Sequence, residues 1–291
     1  MAAPRSYGKV GHGVLTNRRH AGAADIVAGM SAEPATENAP LLREEQDGVL
    51  LLTLHRPDVR NAVDLPMAEA IAAALDHLDA SPHLSVGVLT GAGRGFCAGM
   101  DLKAFAETGK RPWAGDRGFA GIVRRASRKP LIAAIEGFAV AGGLEIALAC
   151  DLIVAAKGTK IGIPEAKRSL VAAGGALRRL PRLLPPSLAL ELALTGDLIT
   201  ADRAYELGAI NRLTEPGETV AAARELATRI AANGPLALIA AKQIVQQQWS
   251  WSDEEFWDRQ AEIADPVMQS EDAREGARAF TEKRDPVWQG R

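Results

Sequence analysis

Short apolar runs alternate along this chain with apolar residues spaced three and four apart, the pattern of strands interleaved with amphipathic helices. Residues 49–54 are a compact run, Val-Leu-Leu-Leu-Thr-Leu, ended by Arg56-Pro57, and predict a buried strand. Asp64-Leu65-Pro66 predicts a helix start, with Asp as the cap and Pro in the first turn. Met67, Ile71, Leu75 and Leu78 then share one helical face. Residues 85–90 form the next predicted strand and run into a glycine-rich turn at 91–95. Residues 104–118 are polar and read as a mobile loop. A helix is predicted over 119–128, a strand over 131–135, a helix over 142–149 and a strand over 152–155. Short helices and turns fill 164–215.

Past residue 220 the strands stop. Four helices follow in succession, at about 219–232, 235–248, 253–264 and 270–283. The chain therefore divides into a β/α core over 41–230 and an all-helical region over 231–291. Residues 1–40 stand apart. Arg5, Lys9, Arg18 and Arg19 precede the first acid, Asp25, as in a transit peptide. Gly8, Gly11 and Gly13 break any amphipathic helix there, so the segment reads as a disordered extension, with 31–42 as a polar linker. Met30 stands as a second candidate start.

Composition changes the picture only by exclusion. The 291 residues are 47% hydrophobic and 24% charged, with a net charge of −2, so no basic surface directs the chain to nucleic acid. The most apolar stretch, 131–156, is interrupted by Glu136, Glu145 and Asp151, so no membrane span is expected. Cys97 and Cys150 are too few for a disulfide framework or a zinc site and read as buried thiols. The five histidines lack metal-ligand spacing, so no metal is expected. The skew to Ala and to Arg over Lys suggests a bacterial, cytoplasmic protein.

Three segments could carry chemistry. In Gly95-Phe96-Cys97-Ala98-Gly99-Met100-Asp101-Leu102, small residues after a strand let the backbone approach a ligand and present N–H groups to an oxyanion. An ordinary strand-to-helix turn has the same composition. In Glu136 to Glu145, paired Gly142 and Gly143 open a helix and offer a second set of free N–H groups. Glu145 is then either an acid–base group among apolar neighbours or a first-turn carboxylate complementing the helix dipole. In Ile161-Gly162-Ile163-Pro164-Glu165, Glu165 reads as a helix-start acid. Yet it follows Glu145 by twenty residues with one strand between, so one excursion of the chain can return both acids to one cleft. No Ser lies in a GxSxG elbow, and Cys97 has no histidine partner for a nucleophile's role.

Taken in order, these segments resemble the crotonase family of enoyl-CoA hydratases and isomerases. Arg56-Pro57 with Arg60-Asn61-Ala62 comes first, then 95–102, then 137–151, then Pro164-Glu165. A late Glu275-Gly276 with Ala279-Phe280 and Glu282-Lys283-Arg284 closes the set. The resemblance covers about 41–290. It implies an α/β fold, a spiral of ββα turns with a helical C-terminal region that forms a homotrimer or a dimer of trimers. It implies an acyl-CoA substrate and no cofactor beyond the coenzyme A carried by the substrate. The oxyanion donors would be the N–H groups of Met100 and Gly142. Arg60, Ala62, Ala98, Gly99, Asp101, Leu102 and Gly143 would line the coenzyme and substrate site, and Phe280 and Lys283 would reach the coenzyme of a neighbouring subunit. Glu145 would activate water for attack at C3 and Glu165 would protonate C2 of a trans-2-enoyl-CoA. Isomerisation, another crotonase reaction, or a non-catalytic acyl-CoA or RNA-binding role are the alternatives. Two departures stand out: Ala141 replaces a frequent glycine, and Ser169 does the same after Glu165.

Overall fold

The structure, a computed structural model, describes residues 39–291. The expectation of a disordered extension concerns residues that lie, up to 38, outside the described ones. In chain order the elements are β1 (Leu41–Gln46), β2 (Val49–Leu54), α1 (Leu65–Ala80), β3 (Val86–Gly91), α2 (Leu102–Thr108), β4 (Leu131–Ile135), β5 (Phe138–Val140) and α3 (Gly142–Ala147). There follow β6 (Leu152–Ala156), β7 (Lys160–Gly162), α4 (Ala176–Leu183), α5 (Pro186–Thr195), β8 (Ile199–Thr200), α6 (Ala201–Glu206) and β9 (Arg212–Thr214). Helices α7 (Thr219–Ala231), α8 (Pro235–Gln247), α9 (Asp253–Met268) and α10 (Glu271–Glu282) complete the chain.

The strands form a six-stranded sheet, ordered β1-β2-β3-β4-β6-β9, and a three-stranded sheet, ordered β5-β7-β8. Only the β1–β2 hairpin is antiparallel in the large sheet; every later pairing there is parallel. Parallel neighbours need a crossover, and the crossovers here repeat. β3 leads to residues 97–100, which bridge Val63 on one side and Ala139 of β5 on the other. β4 leads to β5 and then α3; β6 leads to β7 and then a short helical turn, Pro164–Arg168. Each repeat thus lays a strand in the large sheet, a strand or bridge beside the small one, and a helix. This is the expected spiral of ββα turns. It stacks the small-sheet ends, where the candidate residues sit, next to one another.

Strands β2, β3, β4 and β6 of the large sheet are buried on both faces, as parallel strands usually are. α1 covers one face. Asp64 caps it by accepting the Met67 N–H (3.0 Å), and Met67, Ile71, Leu75 and Leu78 are buried as their spacing predicts. On the other face Val49, Leu51, Val86, Val88, Ile132 and Val154 meet Ala223 and Ala227 of α7. Beyond α7 the helices bury little: Ala240 is the one buried residue of α8, and α9 has none. α8 is tied to the sheet by Lys242, whose ammonium reaches Asp151 (2.6 Å) and the carbonyls of Ser127 and Lys129. The last residues fold back on α10. Glu275 accepts from Arg278, Arg284 and the Val287 N–H, and Asp272 accepts from the N–H groups of Gln289 and Gly290.

The structure corrects several expected elements. Residues 119–128 are not a helix. Ala120 and Gly121 take positive φ (54° and 68°), and the buried guanidinium of Arg117 occupies the carbonyls of Arg125 and Ala126, so the segment turns irregularly over α1. The expected loop at 104–118 begins inside α2, which Asp101 caps through the Ala104 N–H (3.0 Å). The linker reading at 31–42 gives way at Leu41 to β1. Strands β5, β7, β8 and β9 have two or three residues each.

Candidate active site

The first segment of the site is built by Arg56 and Asn61. Arg56 donates to the Ala62 carbonyl (2.6 Å) and pairs with Asp64 (3.3 Å) and Asp101 (3.0 Å). Asn61, fully buried, donates to the carbonyls of Ala92 and Gly95 and accepts from the Arg56 N–H. These bonds draw the Arg60–Ala62 turn onto the glycine-rich loop. The Ala98 N–H then donates to the Arg60 carbonyl (3.1 Å) and the Val63 N–H to the Gly99 carbonyl (2.8 Å), so Ala62, Ala98 and Gly99 come together. Arg60 itself is exposed in a left-handed conformation, and Leu102 is half-exposed at the start of α2. Asp101 has its carboxylate committed to the α2 cap and to Arg56, which holds its pKa below the ordinary range against the upward push of burial.

The second segment packs directly on the first. Val140 N–H donates to the Cys97 carbonyl, and a β-carbon placed on Gly99 would lie 2.9 Å from the Gly142 nitrogen. Gly143 is pressed just as hard against the Cys97 carbonyl, so a side chain there has no room. Because Val63 pairs with Gly99 and Asp101, the N–H of Met100 points away from Val63. Gly142 begins α3, whose first intrahelical acceptor is the Ala141 carbonyl. Neither the Met100 nor the Gly142 N–H donates to another group among the described residues, and the backbones that carry them are adjacent. Two free donors at one place can stabilise a developing oxyanion, each typically worth about 3 kcal/mol to a transition state.

Two carboxylates complete the site. Glu145 is 4% exposed and held by the Ala176 N–H (3.2 Å to Oε1); a side chain on Gly174 would collide with its Oε2. Burial pushes its pKa up to about 6, and the negative charge of Glu165 adds to the rise, while the N–H groups of Ala176 and Gly174 and the charge of Arg179 oppose it. Glu165 lies on the turn Pro164–Arg168, half-buried, with Oε2 enclosed and without a hydrogen-bond partner among the described residues. Burial raises its pKa as well. Glu145 thus faces the charge of Glu165 within one site. An ionised and a protonated carboxyl beside two oxyanion donors can add or remove a proton next to a carbonyl.

Cys97 and Cys150 are buried free thiols, and burial raises the pKa of Cys97 to about 12. No cluster of three or more His, Cys, Asp or Glu able to hold a metal occurs among the described residues, and no described helix is long and apolar enough to cross a membrane. Phe280 on α10 is 87% exposed, and Lys283 caps that helix in a left-handed conformation. Sequence reasoning missed two residues at the site. Phe119 packs on Gly142, and Arg179 faces Glu145 across the turn at Gly174. Phe119 was hidden in a predicted helix. Arg179 carried no local signal that separates it from Arg178.

An oxyanion site on a ββα spiral, flanked by two acids, defines a crotonase-type acyl-CoA enzyme. The chain belongs to the enoyl-CoA hydratase/isomerase family, whose sequence profile matches residues 44–291. It is 42% identical over 258 residues to enoyl-CoA hydratase EchA19 of Mycobacterium tuberculosis, covering 86% of this chain and 96% of that one. It is 41% identical over 263 residues to the carnitinyl-CoA dehydratase of Salmonella arizonae, covering 88% and 97%. The crystal structure of enoyl-CoA hydratase EchA1 from Mycobacterium marinum superposes with a TM-score of 0.85 at 51% identity, covering 87% of this chain and all of that one.

Proposed function

We propose that this enzyme adds water reversibly across the double bond of a trans-2-enoyl-CoA. The observation that carries the reading is the pair of carboxyls, buried Glu145 and half-buried Glu165 with its enclosed Oε2, in one site with the free N–H groups of Met100 and Gly142. The thioester oxygen accepts from both N–H groups. Ionised Glu145 takes a proton from water as it attacks C3, and protonated Glu165 delivers one to C2 of the enolate. The reverse sequence dehydrates a 3-hydroxyacyl-CoA. Two acids suit hydration better than isomerisation, in which one group can shuttle a single proton.

Coenzyme A is bound in this reading along Arg60, Ala62, Ala98 and Leu102, with no resident cofactor and the cytoplasm as the working compartment. A homotrimer or a dimer of trimers is part of the same proposal. Exposed Trp249, Trp257, Met268 and Phe280 on and between α8, α9 and α10 support it, since so many large apolar groups rarely face water singly. Sedimentation of the purified protein tests the assembly.

The catalytic test follows the loss of enoyl-thioester absorbance with short, medium and long 2-enoyl-CoA substrates. Parent turnover is expected, with a fall of several orders of magnitude in Glu145→Gln and in Glu165→Gln. A folded parent that hydrates none of them removes the reading. The carnitinyl-CoA dehydratase likeness supports a second substrate, a 3-hydroxyacyl-CoA bearing a quaternary ammonium, which belongs in the same panel in the dehydration direction.

A further inference from the structure

Arg179 stands on the first turns of α4 with its guanidinium folded back over the helix start. Nη2 donates to the Val123 carbonyl (2.7 Å) and Nη1 to the Gly174 carbonyl (3.4 Å). The turn between them is gripped from two sides. On one face the Ala176 N–H donates to Glu145, and Gly174 leaves room for that carboxylate. On the other, Gly175, at φ 107°, leaves room for the guanidinium, which a β-carbon there would strike. The carbonyl of Val123 belongs to the irregular segment whose first residue in contact with the site, Phe119, packs on Gly142. One side chain therefore joins the wall behind the oxyanion donor to the turn that holds the acid–base carboxylate.

We propose that Arg179 is a positioning residue for the reaction: it fixes the Gly174–Ala176 turn against Glu145 and sets the charge that this carboxylate faces. The inference rests on the reading of Glu145 as the base. The hydrogen bonds of Arg179 go to carbonyl oxygens, so its positive charge is not spent on a direct carboxylate partner, and Glu145 is the acid whose charge it senses most. Glu145 is faced by Glu165 from the turn after β7, by Arg179 from α4 and by the two N–H groups of Gly174 and Ala176. Arg178 and Arg182 repel Arg179 from its own helix, and Cys150, kept neutral by burial, lies on the chain leaving α3. Burial and Glu165 both drive Glu145 toward its neutral form, which cannot accept a proton from water. Arg179 is the side chain that opposes them.

The test is the pH dependence of kcat and KM for parent, Arg179→Met, Arg179→Lys and Glu145→Gln, each shown folded by its melting curve. In Arg179→Met, kcat should fall about 10- to 100-fold with KM within about threefold of the parent, since the group acts on the chemical step rather than on binding. Its acid limb should move up by about one pH unit, the size expected when an opposite charge is removed from a nearby carboxylate. Arg179→Lys, which keeps the charge but cannot span both carbonyls, should return the limb to the parent position while kcat stays reduced. If Arg179→Met does not fold, Arg179→Gln takes its place against Arg179→Lys, and a limb at the same pH in both overturns the proposal. A folded Arg179→Met whose profile superimposes on the parent overturns it equally. Glu145→Gln at full rate would instead remove the base assignment itself, a failure distinct from that of Arg179.

Discussion

The ring of Phe119 lies over the α-carbon of Gly142 so closely that a β-carbon there would sit 2.6 Å from two of its carbons. The contact leaves no room for a side chain on Gly142, the proposed oxyanion donor. A hydrogen bond to a developing charge is worth more where the surroundings are apolar. Gly142→Ala must push the ring aside or shift the donor. Its kcat for hydration should fall about 10²- to 10³-fold. Shrinking the ring relieves the clash, so Gly142→Ala with Phe119→Ala should lose less than the product of the two single losses, a coupling that steady-state kinetics of the four proteins measures. A fully active Gly142→Ala would show that the donor lies elsewhere.

Ala141 adopts φ 52°, ψ −130°, a conformation open to glycine and strained for any residue with a β-carbon. The strand β5 ends there, and its N–H is held by the Gly162 carbonyl (2.9 Å) while the next residue must present its own N–H to the site. Tertiary bonds on both sides impose the conformation. Ala141→Gly should relieve a strain of about 1–3 kcal/mol, less the 0.4–1 kcal/mol or so by which glycine stabilises the unfolded chain. A higher midpoint of urea unfolding with hydration retained is the expected result. An unchanged or lower midpoint would mean that the alanine is not strained.

How much of this was legible in the sequence differs from residue to residue. The large-sheet strands were readable because fully buried parallel strands are continuous apolar runs, and α1 because its apolar face, cap and proline agree. The small sheet was not: two or three residues cannot show a period, and its strands exist because the spiral stacks them. Glu145 and Glu165 were visible as candidates, each against an ordinary helix-start reading that is as good for Glu145 and better for Glu165. Only the return of the chain through β6 and β7 couples them. Phe119, Ile122 and Val123 have helical spacing and are buried, yet the predicted helix over 119–128 does not form. The path is set instead by the positive φ of Ala120 and Gly121 and by Arg117, a buried cation that gathers the carbonyls of Arg125 and Ala126. Arg179 reads in sequence as one of several arginines on a basic helix, and nothing local distinguishes it from Arg178.

Glu275 should make the C-terminal fold-back sensitive to acid. Arg284, the Val287 N–H and Arg278 together hold its pKa well below the ordinary carboxylate value of 4.5. A depressed folded pKa contributes stability that is fully present above the unfolded value and is lost as pH falls below it. The melting temperature of the parent should therefore decline as pH drops below about 4.5, and Glu275→Gln should flatten that part of the profile while lowering the melting temperature at neutral pH. Identical slopes for the two proteins below that pH would exclude Glu275 as the source.

Glu145 should do the opposite, because its folded pKa is raised rather than depressed. In the unfolded chain it titrates near 4.5, and in the folded protein near 6. Between those values the folded state holds the proton that the unfolded state has released, so stability falls as pH rises from 4.5 to 6 and stays reduced above it. The difference of about 1.5 units corresponds to a cost of about 2 kcal/mol at neutral pH. Glutamine keeps the acceptor for the Ala176 N–H without the charge. Glu145→Gln should therefore be more stable than the parent at pH 7.5 by about that amount, and the advantage should vanish at pH 4 or so, where the parent's carboxyl is protonated in both states. Urea unfolding of both proteins at the two pH values measures it. An advantage equal at both would trace to packing rather than charge. One that appears only at the higher pH, in a variant that no longer hydrates, would show that the carboxylate is kept at the expense of stability because the reaction needs a base where burial disfavours one.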